Sequence, residues 1–248
     1  MKKPRVLVVI PSRYGSTRLE GKPLKLIGGK PMVELVYRQA QKMETATEII
    51  VATDDQRIMD AVAAFGGKAM MTSQDHQTGT DRVAEVAKKR KADVVVNMQG
   101  DEPFIDPAAV DLAVSRLLAA KSAKMSTLCV PVTHQEACDP TVTCVVRDLK
   151  ENALYFSKAA IPNDRDGALP GKAYLKHLGL YVFRHDFLLK YAKMEATPLE
   201  KREKLEQLRV LERGGKILVV MTESDSIGVD SPADLEKADK IARGMANG

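Results

Sequence analysis

With 248 residues, 44% of them hydrophobic and 29% charged, the chain is long enough for one large α/β domain or two small ones and reads as an ordinary globular protein. An aromatic content of 4% with no Trp argues against single-stranded nucleic-acid binding by base stacking, and a net charge of +5 from scattered cations fits a mildly basic enzyme better than a nucleic-acid binder. Three cysteines without a C-x-x-C pair argue against a zinc or disulfide framework, and the absence of any long apolar run leaves no membrane partner, so the expected location is cytoplasmic.

Continuous apolar runs alternate with helical patterns. Strands are expected over 5–10, 48–52, 68–71, 94–97, 125–130, 143–147, 178–183 and 217–221. Helices are expected over 32–43, 56–65, 80–90, 107–120, 186–193, 199–213 and 232–242. Runs such as VVVN and IIVA are apolar at successive positions, so both faces should be covered, as in parallel strands flanked by helices. Asp55 and Asp106 stand where caps are needed, and Gly66 and Gly214 where helices should stop. The strict alternation fades after about residue 122. The expectation is a single domain over 1–248, with a nucleotide-binding part over about 1–122 plus 217–248 and a smaller inserted lobe over about 123–216.

The segment PSRYGSTRLEGKP follows the first apolar strand. Loops at the C-terminal ends of parallel strands are where open α/β sheets bind ligands. Gly15 and Gly21 leave backbone N–H groups accessible, and Arg13, Arg18 and Lys22 add cations, a combination suited to a polyphosphate. It is not a P-loop, because Gly21-Lys22 is followed by Pro23. In NMQGDEP, Asp101 at a strand end is a candidate Mg2+ ligand, since magnesium often takes only one or two carboxylates. In GVDSP, Asp230 is either a second carboxylate for that ion or, like Ser231, a cap for the last helix. The segment MTSQDHQTGTDR places Ser73, Asp75 and His76 too close together for a hydrolase triad, and no G-x-S-x-G elbow is present. Its short polar groups suit the edge of a base instead, with Thr80 capping the next helix. In the second half, a single His177 or Glu206 reads first as a satisfied structural residue; the alternative, as a set, is a polyol acid pocket with Lys158 for a carboxylate and His177, Glu206 and Gln207 for hydroxyls.

Taken in order, PSRYGSTRLEGKPL, VATDDQRI, AFGGKAMMTSQDHQTGTDR, VVNMQGDEP, ALYFSKAAIP, HLGLYVFR, PLEKREKLEQLRVL and GVDSPADLE resemble the 3-deoxy-manno-octulosonate cytidylyltransferase (CMP-Kdo synthetase) family over nearly the whole chain. The resemblance implies a nucleotidyltransferase fold with a Rossmann-like, mostly parallel sheet, a smaller sugar-binding and dimerisation lobe, a homodimer, and Mg2+. It implies that CTP and Kdo give CMP-Kdo and pyrophosphate. By the same resemblance Pro11, Ser12, Arg13, Gly15, Arg18, Lys22, Thr72, Ser73, Gly79, Arg82 and Gln99 bind the nucleotide, with Arg18, Lys22 and Asp101 catalytic. Asp101 and Asp230 hold the metal, and Gln99, Lys158, His177, Tyr181, Glu206 and Gln207 line the sugar pocket. Three positions depart from the family pattern: Glu20 stands for the usual Pro, Lys158 for Arg, and Thr143 for Lys. Arg and Lys differ in that only Arg offers a bidentate fork to a carboxylate. A cytidylyltransferase for 8-amino-Kdo or a sialic acid, and a nucleotide-sensing domain without turnover, are the alternatives.

Overall fold

The apolar run near the N-terminus forms β1 (Val6–Ser12), in which residues 6 to 10 are at most 2% exposed. In the computed structural model, residues 3–15, 19–165, 167 and 171–246 are described. The chain divides into two compact units, residues 1–108 with 226–248 and residues 109–225.

In the first unit a 3-10 turn (Lys22–Leu24) and a small hairpin of β2 (Leu26–Ile27) and β3 (Lys30–Pro31) lead into α1 (Met32–Gln41). Then come β4 (Glu48–Thr53), α2 (Gln56–Ala64), β5 (Ala69–Met71), α3 (Gly79–Lys88) and β6 (Val94–Asn97). The strands lie in the order β6-β1-β4-β5, all parallel, with Val6 opposite Val94, Leu7 opposite Glu48 and Val51 opposite Ala69. Helices connect them, so β1 and β6 are buried on both sides while β5 stays half-buried to exposed, and each fully covered Val or Leu contributes about 1.5–3 kcal/mol. This arrangement collects the loops after Ser12, Thr53, Met71 and Asn97 at one edge. Asp55 caps α2 by accepting from the Arg57 N–H at 2.9 Å. α3 is capped by Thr78 rather than Thr80: Thr78 accepts from the Asp81 N–H at 3.1 Å, and Asp81 reciprocates at 3.1 Å.

α4 (Pro107–Ala119) carries the chain from the first unit into the second. The second unit contains β7 (Met125–Val132), α5 (His134–Ala137), β8 (Cys144–Arg147), β9 (Ala153–Ser157) and β10 (Tyr174–Arg184). It continues with α6 (His185–Tyr191), α7 (Pro198–Glu203), α8 (Leu208–Leu211) and β11 (Ile217–Met221). β7 pairs antiparallel with β10 and parallel with β11, while β8 pairs antiparallel with both β9 and β10. The expected helix over 199–213 is two short helices, because Lys204 is left-handed at φ +57° and interrupts the hydrogen-bond ladder. That break turns Leu205 and Gln207 inward, where both are buried.

The chain returns to the first unit with α9 (Pro232–Ala246). Val229 and Ala238 bury against Leu19, Ile27 and Met32. Gly28, at φ +58°, donates its N–H to Asp239 at 2.8 Å, and a Cβ there would lie 3.0 Å from the Ala242 side chain. This close approach holds the later turns of α9 against the β2–β3 turn, and ahead of α9 the Val229 N–H reaches the Asp101 carbonyl in the loop after β6 at 2.9 Å. Among the described residues no helix is long and apolar enough to cross a membrane.

Candidate active site

Lys22 opens the 3-10 turn behind Gly21, whose left-handed φ of +64° lets the loop double back under the Tyr14 ring. The Gly21 N–H closes the loop on the Tyr14 carbonyl at 3.1 Å. From there Lys22 Nζ donates to Asp101 Oδ2 at 2.7 Å and to Asp230 Oδ1 at 2.9 Å. Two aspartates far apart in sequence thus converge on one cationic atom. The choice left open for Asp230 resolves locally. Ser231 caps α9, accepting from the Asp234 N–H at 3.2 Å and donating to Asp234 Oδ2 at 2.7 Å. Asp230 is thereby left to face Lys22.

Gly100 is required by close approach. A Cβ there would sit 2.8 Å from the Pro11 carbonyl oxygen and 3.0 Å from Ser12 Oγ, so a side chain would push the loops after β1 and β6 apart. Ser12 Oγ is buried without a hydrogen-bond partner, a donor held ready at this junction. Asn97 donates to Thr80 Oγ1 at 3.1 Å and accepts from Gln99 Nε2 at 3.2 Å, which holds the Gln99 amide at the same edge.

The loop after β5 is organised by Arg82 and Glu85. Arg82 is 3% exposed and donates to Asp54 Oδ2 at 2.6 Å, to the Ser73 carbonyl at 3.3 Å and to Thr72 Oγ1. Glu85 accepts from the Ser73 N–H at 2.9 Å, from Lys89 at 2.9 Å and contacts His76 Nε2 at 2.7 Å. Its partial burial opposes ionisation, but these donors outweigh it and bring the carboxyl down to about 2. Ser73 Oγ meets Asp75 at 3.1 Å while the His76 ring turns to Glu85, so the three do not form a hydrolase constellation.

These loops enclose a cavity of about 260 Å³ within the first unit. It is lined by Pro11, Ser12, Arg13, Lys22, Gly79, Arg82, Gln99, Asp101 and Asp230, all singled out from sequence. Pro23, His76, Gln77, Thr78 and Gly100 join them without having been assigned there. The available signal was the T-G-T-D capping box, which forces residues 76–78 to turn at the sheet edge. Gly15, Thr72 and Ser73 are not in its wall; Thr72 acts behind it by holding Arg82. Arg18 lies outside the described residues.

The second unit gathers a separate polar cluster. Two extra residues bulge from β10 between Leu178 and Tyr181, so that His177 pairs with Cys129 and Tyr181 with Thr127 and both face one side. Thr127 Oγ1 lies 2.6 Å from the Leu180 carbonyl and 2.8 Å from His177 Nε2. A hydroxyl has one proton, and the carbonyl takes it. His177 therefore donates from Nε2 and keeps Nδ1 as an acceptor. Phe156 meets this ring edge-on, at 5.0 Å between centroids and 75°. Tyr181 donates to Gln207 Oε1 at 2.9 Å, while the Gln207 amide nitrogen is buried without a partner. Lys158 Nζ donates to the Thr141 carbonyl at 2.6 Å, and its backbone N–H donates to Glu203 at 3.0 Å. Glu203, which sequence reasoning did not select, also accepts from Ser157 Oγ at 2.8 Å. Glu206 contributes its backbone carbonyl to Tyr191, at 2.8 Å.

Burial, reinforced by the Lys158 charge, lowers the His177 pKa from 6.5 to about 3. In the unfolded chain this imidazole binds a proton below pH 6.5, whereas in the folded chain it does not until about pH 3. Its contribution to stability is therefore complete above pH 6.5 and declines as pH falls toward 3. In urea titrations between these limits, His177→Gln flattens the acid slope by up to about 1.4 kcal/mol per pH unit. An unchanged slope would show that the ring is already charged in the fold.

A family model described as Cytidylyltransferase matches residues 7–217. The 3-deoxy-manno-octulosonate cytidylyltransferase of Geobacter metallireducens is 50% identical over 250 aligned positions, 96% of this chain and 98% of that one. The protein of the same name from Solibacter usitatus is 47% identical, over 98% of this chain and 99% of its own. A solved structure of CMP:2-keto-3-deoxy-manno-octonic acid synthetase complexed with CTP superposes with a TM-score of 0.90 at 42% identity, covering 98% of this chain and 99% of that one. The α/β fold, with its mixed and mostly parallel sheet, is that of the solved synthetase. Agreement in sequence and in fold along nearly the whole length means that the chain belongs to the 3-deoxy-manno-octulosonate cytidylyltransferase family.

Proposed function

We infer that the chain transfers CMP from CTP to 3-deoxy-D-manno-octulosonate (Kdo), giving CMP-Kdo and pyrophosphate for lipopolysaccharide synthesis. The observation that carries the reading is the convergence of Asp101 and Asp230 on Lys22 at the rim of the β1 loop cavity. The anomeric hydroxyl oxygen attacks the α-phosphorus in line, the bond from that phosphorus to the β-bridging oxygen breaks, and the hydroxyl proton passes to solvent. Arg13, Arg18 and Lys22 neutralise the departing pyrophosphate, with Pro11, Ser12 and Gly15 shaping the loop. Gly79, Arg82 and Gln99 orient the cytidine, with Thr72 and Ser73 supporting Arg82 from behind the cavity wall. No covalent intermediate with the enzyme is needed, since positioning and charge stabilisation supply the rate.

A divalent cation fits the residues present. The oxygens of two carboxylates already meet at one positively charged atom, and magnesium takes one or two carboxylates with water completing its shell. Among the described residues no group of three or more His, Cys, Asp or Glu is gathered for a metal, so the remaining ligands would come from water and phosphate. Asp101 and Asp230 would hold Mg2+, which when bound stabilises phosphoryl charge and makes a nearby hydroxyl easier to deprotonate.

For the sugar acid, Lys158 binds the carboxylate, and His177, Tyr181, Glu206, Gln207 and Gln99 bind hydroxyls. The buried Gln207 amide nitrogen and the acceptor Nδ1 of His177 support this, since each has hydrogen-bonding capacity to offer a hydroxyl. A homodimer is part of the reading, supported by the exposed Leu149, Leu154 and Met221 of the second unit. A cytoplasmic location fits the use of CTP and the free thiols of Cys129, Cys138 and Cys144.

The deciding experiment measures pyrophosphate release from each of the four nucleoside triphosphates, with Mg2+, against Kdo, 8-amino-Kdo and a sialic acid. The expected result is turnover with CTP and Kdo, from a species of twice the chain mass on gel filtration. Binding of CTP without pyrophosphate from any of the three sugars would establish a sensing domain instead. Preference for the 8-amino sugar would make that sugar, rather than Kdo, the acceptor.

A further inference from the structure

Lys22 stands where a cation would stand. Its Nζ lies 2.7 Å from Asp101 Oδ2 and 2.9 Å from Asp230 Oδ1, and its side chain is only 13% exposed. The backbone beneath it is firmly held. The Lys22 N–H bonds the Leu19 carbonyl at 3.1 Å, Pro23 follows, and Gly21 is locked under Tyr14. Four side-chain torsions nevertheless leave the ammonium free to swing while the turn stays fixed. Arg13 lines the same cavity, so a triphosphate entering it meets a second cation and offers Lys22 an alternative anionic partner.

Building on the cation-assisted transfer above, we propose that Lys22 is an internal counter-ion that keeps the Asp101–Asp230 pair closed to a divalent cation until a triphosphate draws its ammonium away. With Lys22 in place the three groups sum to one negative charge; with Lys22 withdrawn the two carboxylates present two, and neither oxygen is held by the ammonium. Cation and nucleotide therefore bind with positive coupling, because each is favoured by the same movement of one side chain. The device also orders the events. The carboxylate pair would open to a cation only when the triphosphate is already in the cavity, and would not be occupied unproductively in its absence.

The test is cation binding to the nucleotide-free full chain, which requires no turnover. Mn2+ serves as the probe, since it takes the same carboxylate and water ligands as magnesium and its free fraction is read by paramagnetic resonance. Lys22→Met and Lys22→Gln each bind Mn2+ at least about tenfold more tightly than the wild type, because the competing charge is gone. Adding Asp101→Asn to Lys22→Met abolishes that gain, which places the extra affinity at this pair. Circular dichroism confirms that the variants are folded. Equal or weaker Mn2+ binding by either folded variant would overturn the proposal. Wild-type turnover with CTP and Kdo is measured alongside. If it persists while Mn2+ affinity fails to rise, the counter-ion role alone falls; if it is absent, the functional reading falls.

Discussion

Asp101→Asn lowers pyrophosphate release from CTP and Kdo at least about a thousandfold, while the thermal midpoint moves by no more than about 3 °C. The two parts of this expectation have different causes. The substitution keeps the shape of the side chain but removes the charge that would hold Mg2+ and face the reacting phosphate. Stability changes little because Lys22 retains Asp230 at 2.9 Å, and a partly exposed ion pair is worth about 0–1 kcal/mol. The Val229 N–H still reaches the residue 101 carbonyl, so the start of α9 stays in place. Activity within a few-fold of wild type would remove Asp101 from the reaction. A large drop in thermal midpoint would make its role structural instead.

Arg209→Ala has the opposite signature, unfolding the second unit at a lower urea concentration with a loss of about 3–5 kcal/mol. Arg209 and Glu200 are each 8% exposed and form a two-point pair, Nε to Oε2 at 2.9 Å with Nη2 to Oε1 beside it. Nη1 also donates to the Met194 carbonyl at 3.1 Å, and the guanidinium lies 4.8 Å from the Tyr191 ring centroid. Truncation strands the Glu200 charge in a closed site and leaves that carbonyl unpaired. Replacing both partners, as Arg209→Met with Glu200→Gln, recovers most of the loss because no buried charge remains. A loss below about 1 kcal/mol for Arg209→Ala would mean that water reaches the pair in solution. The pair also braces the α7–α8 break from which Gln207 projects inward, so the single variant raises the KM for Kdo more than the KM for CTP.

Local patterns made much of the first unit legible. Strand 94–97 and the buried Ile50–Ala52 stretch of β4 were found because parallel strands covered on both faces carry apolar residues at successive positions. The helix ends at Asp55, Asp106 and Gly66 were found because capping and left-handed termination are decided within four residues. β9 was missed, because its burial depends on its antiparallel pairing with β8 rather than on its own hydrophobicity. The 199–213 helix was overextended, because nothing in a lysine announces that its backbone will be left-handed.

The sequence by itself determined the residues with reactive chemistry and the strand ends on which they stand: Arg13 and Lys22 after β1, Asp101 after β6, and Asp230 ahead of α9. Only the tertiary structure decided that Ser231 takes the cap and leaves Asp230 to Lys22, that Thr72 works behind Arg82, and that His177 is a neutral donor to Thr127. The division is physical. A cap or a buried strand is settled by interactions a few residues apart, whereas the partner of a charged side chain is whichever group long-range packing brings within hydrogen-bond reach, and two chain segments more than a hundred residues apart carry no local record of that meeting.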